Sequence, residues 1–134
     1  MWISIKKVLT YDEVKKIEKK LNIRLPEDYC NIIGSINGGA LKKGFYLHSK
    51  LGKIPYSRNL NLCQSAKINA IDMFDILDCG SHKYFPFGSV GNGDYYCFDL
   101  KNQKVVLFEH ESGKVYGICN TYTELIKGIV FDEE

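Results

Sequence analysis

Between Tyr84 and Asn120 the chain alternates strand-forming runs with links of three residues. The runs are YFPFGSV, DYYCFDL, KVVLFEH and KVYGICN, and the links are GNG, KNQ and ESG. A parallel crossover needs a dozen or more residues, so links this short admit only antiparallel neighbours. The C-terminal half is therefore expected to be an antiparallel meander. In its second run Tyr96, Phe98 and Leu100 share one face, and Tyr95, Cys97 and Asp99 share the other, because side chains alternate along a strand. Both faces are rich in apolar or aromatic groups, which marks a central strand.

Helical periodicity brackets this meander. Thr10 and Glu13 form a capping-box pattern ahead of Val14, Ile17 and Leu21, which recur on one face. The stretch LPEDYCNIIGSINGG predicts a second helix. Pro26 suits its first position, and Tyr29, Ile32, Ile33 and Ile36 form its apolar face. Asn37-Gly38-Gly39 ends it. Gly34 weakens such a helix by about 1 kcal/mol relative to alanine unless a close neighbour needs the room. TYTELIKGIVF predicts a closing helix with Thr121 and Glu124 as a second capping box and Tyr122, Leu125, Ile126, Ile129 and Val130 as its stripe. Residues 40–83 are less legible. GFYLHSK reads as a strand, KIPYSRNLNL as a loop, and INAIDMFDIL fits a helix or a strand equally. The expected fold is a single α+β domain over residues 1–134, an antiparallel sheet with helices packed on it.

Composition narrows the function classes. The 134 residues carry a net charge of +2, far from the concentrated charge that phosphate backbones attract, so nucleic acid is not expected as a partner. No apolar run approaches a membrane span and no signal peptide opens the chain, so the expected location is cytoplasmic. Five cysteines lie 16 to 33 residues apart, a spacing that fits neither a zinc site nor a redox pair.

The glycine-rich stretch GSVGNGDYYCFDL, Gly88 to Leu100, could be a phosphate loop or a hairpin. A phosphate loop places its glycines between a strand and a helix. Here they run strand to strand, and no Gly-Lys-Ser/Thr follows, so the hairpin is expected. Asp94 then caps a turn or projects as a contact carboxylate. His48, His82 and His110 lack ligand spacing, and His110-Glu111 reads as a surface turn rather than an acid–base pair. Asp72, Asp75 and Asp78 recur at every third residue but lack the pattern of a calcium loop, so a solvated face is expected. Trp2 is expected to plug or cover the core. No nucleophile–base–orienter set is visible, so no catalytic residue, metal or cofactor is assigned.

Two ordered sets of motifs carry a resemblance. Leu25-Pro26-Glu27-Asp28-Tyr29 runs to Asn37-Gly38-Gly39. Phe85-Pro86-Phe87-Gly88 is followed by Gly91-Asn92-Gly93-Asp94-Tyr95-Tyr96-Cys97-Phe98-Asp99-Leu100 and then Glu109-His110-Glu111. Together they resemble the SUKH superfamily, in the group named for yeast cell-wall assembly regulators. The departures are Asn92 in the glycine turn, Glu109 where aspartate is usual, and residues 40–83. The resemblance implies a cytoplasmic, non-catalytic binding domain. Bacterial members are largely immunity proteins that bind and block a cognate polymorphic toxin, and fungal relatives act as regulatory scaffolds. It implies partner contacts at Asp94, Tyr95, Asp99 and Glu111 in the hairpin motif, with Tyr46 and Tyr56 added from the divergent middle. The alternative is a regulatory interaction module with no toxin partner.

Overall fold

The computed structural model describes residues 2–132. Four α-helices and two antiparallel sheets form one α+β domain. The helices are α1 (Tyr11–Leu21), α2 (Glu27–Ile33), α3 (Ala70–Ile76) and α4 (Tyr122–Gly128). Strands β1 (Gly44–His48), β2 (Gly52–Pro55) and β8 (Ile129–Phe131) form a three-stranded sheet in the order β2-β1-β8. Strands β3 (Arg58–Asn59), β4 (Tyr84–Ser89), β5 (Tyr95–Asp99), β6 (Val105–Phe108) and β7 (Val115–Cys119) form a five-stranded meander in chain order, with β5 at its centre.

The helix starts follow their capping chemistry. The Thr10 hydroxyl accepts the Glu13 N–H at 3.1 Å, and the Glu13 carboxylate accepts the Thr10 N–H at 2.9 Å. At α4 only half of the expected box forms: the Thr121 hydroxyl accepts the Glu124 N–H at 3.1 Å, while the Glu124 carboxylate accepts the Asn120 N–H rather than that of Thr121. A second cap reaches α4 from far along the chain. Asp28 accepts both the N–H and the hydroxyl of Thr123 at 2.8 Å, so the carboxylate of α2 satisfies an orphan donor of α4.

Three sequence expectations need correction. The second helix stops being α-helical at Ile33 and continues as a 3₁₀ turn over Gly34–Ile36, and Pro26 stands at its N-cap rather than inside it. Of the three residues that follow, Gly38 takes the left-handed conformation at φ +71. Asn37 is instead extended and works through its buried side chain, which donates to the Lys7 carbonyl and accepts the Leu62 N–H. The closing helix ends at Gly128, and Ile129 and Val130 leave its stripe to become strand β8 against β1. A side chain at Gly128 would meet the Tyr46 ring at 2.6 Å. Finally, KIPYSRNLNL holds strands β2 and β3 rather than a loop, and INAIDMFDIL contains α3.

The core lies between the inner face of the meander and the four helices, α3 contributing Ala70 and Phe74. Register pairs Asn59, Gly88, Tyr96, Leu107 and Tyr116 across one row, and Phe85, Phe98, Val105 and Cys119 across another. Tyr29 of α2 meets Phe98 edge-on at 5.0 Å and Tyr122 at 5.2 Å, while Phe87 stacks on Phe98 at 4.1 Å. Such pairs are worth about 0.5–1.5 kcal/mol each beyond the area they bury. Trp2 packs on this core, edge-on to Tyr56 at 5.9 Å.

Gly34 shows the room that the sequence left open. A Cβ there would lie 2.1 Å from the Leu9 carbonyl oxygen, because the N-terminal segment crosses the helix end and bonds Leu9 N–H to the Gly34 carbonyl at 2.9 Å. Gly34→Ala, which would favour an open helix by about 1 kcal/mol, is therefore expected to destabilise this protein by about 2 kcal/mol or more. Urea unfolding checks this, and a stabilised variant would contradict the crossing.

Candidate partner-binding face

The outer face of the meander follows from the same register. Arg58, Ser89, Tyr95, Phe108 and Val115 stand in one cross-strand row. Pro86, Cys97, Val106 and Gly117 form the next, and Tyr84 and Asp99 begin a third. Helices α1, α2 and α4 contribute their buried residues to the core on the other side. The 3₁₀ turn Leu77–Gly80 sends Leu77 onto this outer face, where it packs with Cys97, Val106 and Phe108. Tyr84, Tyr95 and Val115 flank that small cluster and keep part of their surface in water. The result is an aromatic sheet face covered at its centre and open around it.

One end of this face is held by a contact between hairpins. Asp94 Oδ1 accepts the His110 N–H at 3.0 Å and lies 2.5 Å from His110 Nδ1. Gly93, at φ +98, lets the ring approach, since a Cβ there would stand 3.0 Å from His110 Cε1. Asp94 thus caps the neighbouring β6–β7 turn rather than its own, whose Asp94 N–H is capped by Asn92 Oδ1 at 3.0 Å. The hydrogen bond to Asp94 raises the His110 pKa above its ordinary value, and partial desolvation opposes it. His110 therefore pairs with Asp94, not with its neighbour Glu111.

The structure separates the six sequence candidates. Asp94 and Tyr95 lie together at the start of β5, and Glu111 is exposed in the adjacent turn. Asp99 is on the same outer face at the far end of β5, about 13 Å along the strand, where its carboxylate accepts the Lys101 N–H at 2.9 Å. Tyr46 belongs to the other sheet, half-buried, with its ring over Gly128. Tyr56 is wholly buried. Its hydroxyl donates to Asn59 Oδ1 at 2.6 Å, and its ring lies over Gly88, where a Cβ would stand 2.4 Å from the hydroxyl oxygen. Tyr56 is therefore a core residue and leaves the candidate set. Tyr84 and Val115 were missed. Extending the two-residue alternation from the second run to its neighbours, and aligning them across the short links, brings both onto the Tyr95 face.

The other two histidines and the aspartates Asp72, Asp75 and Asp78 have local partners. His48 Nδ1 accepts the Leu51 N–H at 3.0 Å, and His82 stacks on Phe74 and pairs with Asp75 at 2.8 Å. Asp72 accepts from Asn69 and Gln64, and Asp78 from Ser81. Burial pushes the Cys30 thiol up to about 11 and Cys119 up to about 12, so both are thiols rather than nucleophilic thiolates at neutral pH. Among the described residues no group of three or more His, Cys, Asp or Glu side chains is placed to hold a metal ion. No helix among them is long and apolar enough to cross a membrane.

A family model, SUKH_6, described as SMI1-KNR4 cell-wall, matches residues 11–126. No curated protein and no solved structure matches the chain.

The Asp94–His110 contact has a pH signature. Because the folded His110 pKa stands above the unfolded one, the stabilisation is complete below the unfolded pKa and is lost as pH rises through the folded value. Wild type is expected to lose more thermal stability than His110→Gln as pH rises from about 5.5 to about 8.5. Parallel melting curves for the two proteins across that range would contradict the contact.

Proposed function

The chain belongs to the SMI1-KNR4 cell-wall family, and from that premise we propose that it is a non-catalytic protein-binding domain acting as a bacterial immunity protein, which neutralises a cognate toxin by occluding its active site. The observation that carries this reading is the outer sheet face. Tyr84 and Tyr95 present partly exposed aromatic surface, and Asp99 at the end of β5 and Asp94 at the edge just before its start are already oriented by backbone N–H groups. Tyrosine supplies rigid, amphipathic contact area, and a carboxylate fixed before docking loses little entropy on docking. Glu111 extends the same acidic end from its turn. Tyr46 is a contact only for a partner broad enough to reach the second sheet.

Charge constrains the partner. The outer carboxylates suit basic groups on a toxin. The net charge of +2 is not that of an inhibitor built to quench a strongly basic nuclease, so the toxin class favoured is one whose active-site rim carries a few cations rather than a basic channel.

Co-expression with the toxin encoded beside it tests this. The wild-type chain is expected to co-purify with the toxin and rescue growth. Tyr84→Ala with Tyr95→Ala should weaken binding about 30-fold or more, as for paired aromatic anchors, with the circular dichroism spectrum unchanged. Growth rescue without binding loss in the double variant would move the interface elsewhere. Recovery of one endogenous partner whether or not a toxin is present would favour the regulatory module instead, and absence of rescue by the wild type would overturn the toxin reading.

A further inference from the structure

A second surface stands apart from those carboxylates and has the opposite charge. A cleft of about 400 Å³ opens between the N-terminal segment and residues 58–68. Leu60, Ala66 and Ile68 supply its apolar wall, and Lys6, Arg58 and Lys67 line it without any carboxylate among its lining residues. None of these three cations forms an ion pair with another described residue. Ile68 stands 66% exposed, a large aliphatic side chain left in water in the same lining as the three cations and next along the chain from Lys67.

The cleft is built rather than incidental. Gly38 takes φ +71, and a Cβ there would stand 2.5 Å from Lys6 Cγ, so the bare backbone lets the Lys6 stem lie flat against it. This places an amphipathic side chain along the cleft, its methylenes on the wall and its ammonium free. Asn59 and Asn61, which line the same cleft, are held by hydrogen bonds to the Ile36 carbonyl and from the Asn37 amide. The wall between the cations is thereby fixed by the buried asparagine contacts of the core.

We infer that this cleft binds an acidic, aliphatic peptide segment of a partner protein. Carboxylates of the segment meet Lys6, Arg58 and Lys67, and an aliphatic side chain between them covers Leu60, Ala66 and Ile68. Charge complementarity selects an anion, and Arg58 offers a planar fork suited to a carboxylate. The aliphatic wall selects against a phosphate backbone, which gains nothing from apolar surface, whereas a concave site with a few placed charges is the usual form of a side-chain pocket. The inference does not rest on the toxin reading: Arg58 stands at the edge of an outer-face row, but none of the cleft residues is among the proposed toxin contacts, and the charge is opposite.

The test is a nitrogen-15 HSQC titration of the full chain with an acetylated, amidated peptide of alternating glutamate and leucine. Saturable shifts are expected at the amides of Gly38, Asn61, Lys67 and Ile68, weakening as salt is raised. Two variants should each reduce affinity about ten-fold or more: Lys6→Glu with Lys67→Glu, which reverses the charge, and Ile68→Ser, which removes exposed aliphatic surface and leaves the fold undisturbed. Equal binding of an alternating lysine–leucine peptide would overturn the charge argument. Equal binding of a glutamate–serine peptide would overturn the aliphatic one. Tighter binding of a single-stranded oligonucleotide at these amides, or no saturable shift there, would overturn the proposal outright.

Discussion

The two sheets are tied at Tyr56, and most of the architecture depends on that tie. Its backbone N–H bonds the Gly44 carbonyl at the start of β1, while its ring lies on Gly88 of β4 and against Tyr96 of β5. Burying a phenol hydroxyl without a partner would cost about 1–3 kcal/mol. Asn59, three residues on, supplies the acceptor and uses its amide to satisfy the Ile36 carbonyl at the end of the α2 segment. One buried side-chain pair thus links the small sheet, the meander and the helical layer. The glycine at position 88 is a spatial requirement of that link, which explains why the inner row of β4 carries no side chain there.

From this tie the functional asymmetry follows. The inner rows of the meander are filled by aromatics against four helices, so the outer rows are what the sheet can offer. Leu77 relieves part of the outer apolar load by covering Cys97, and the flanking tyrosines remain. Motif residues divide accordingly. Asp28, Tyr29, Asn37 and Gly88 serve the interior, through the α4 cap, the aromatic core, the N-terminal segment and the Tyr56 ring. Tyr95 and Asp99 lie on the outward face, while Asp94, one residue before β5, sits at its edge and secures the neighbouring turn.

Local chemistry made the capped helix starts and the meander legible in the sequence. Thr10, Glu13 and Thr121 act within one turn, and three-residue links leave an antiparallel strand one place to go. What escaped depended on distant chain. Ile129 and Val130 satisfy a helical stripe as well as a strand, and pairing with β1 decides between them. The short strands β2 and β3 have little signal until a partner strand is beside them. Tyr56 failed as a surface candidate because a tyrosine is equally at home inside once its hydroxyl has an acceptor, and Asn59 gave no sign of being that acceptor. Tyr95 and Asp99 were readable from alternation on one strand, while Tyr84 and Val115 needed cross-strand register.

The central claim is that the outer face of the meander, rather than the helical side, receives the partner. Side-chain footprinting of the purified complex with hydroxyl radicals tests it most directly. The account predicts that Tyr84 and Tyr95 become protected while Tyr11, exposed on α1 at the opposite layer, stays reactive. Protection of Tyr11 with Tyr84 and Tyr95 still oxidised would contradict it.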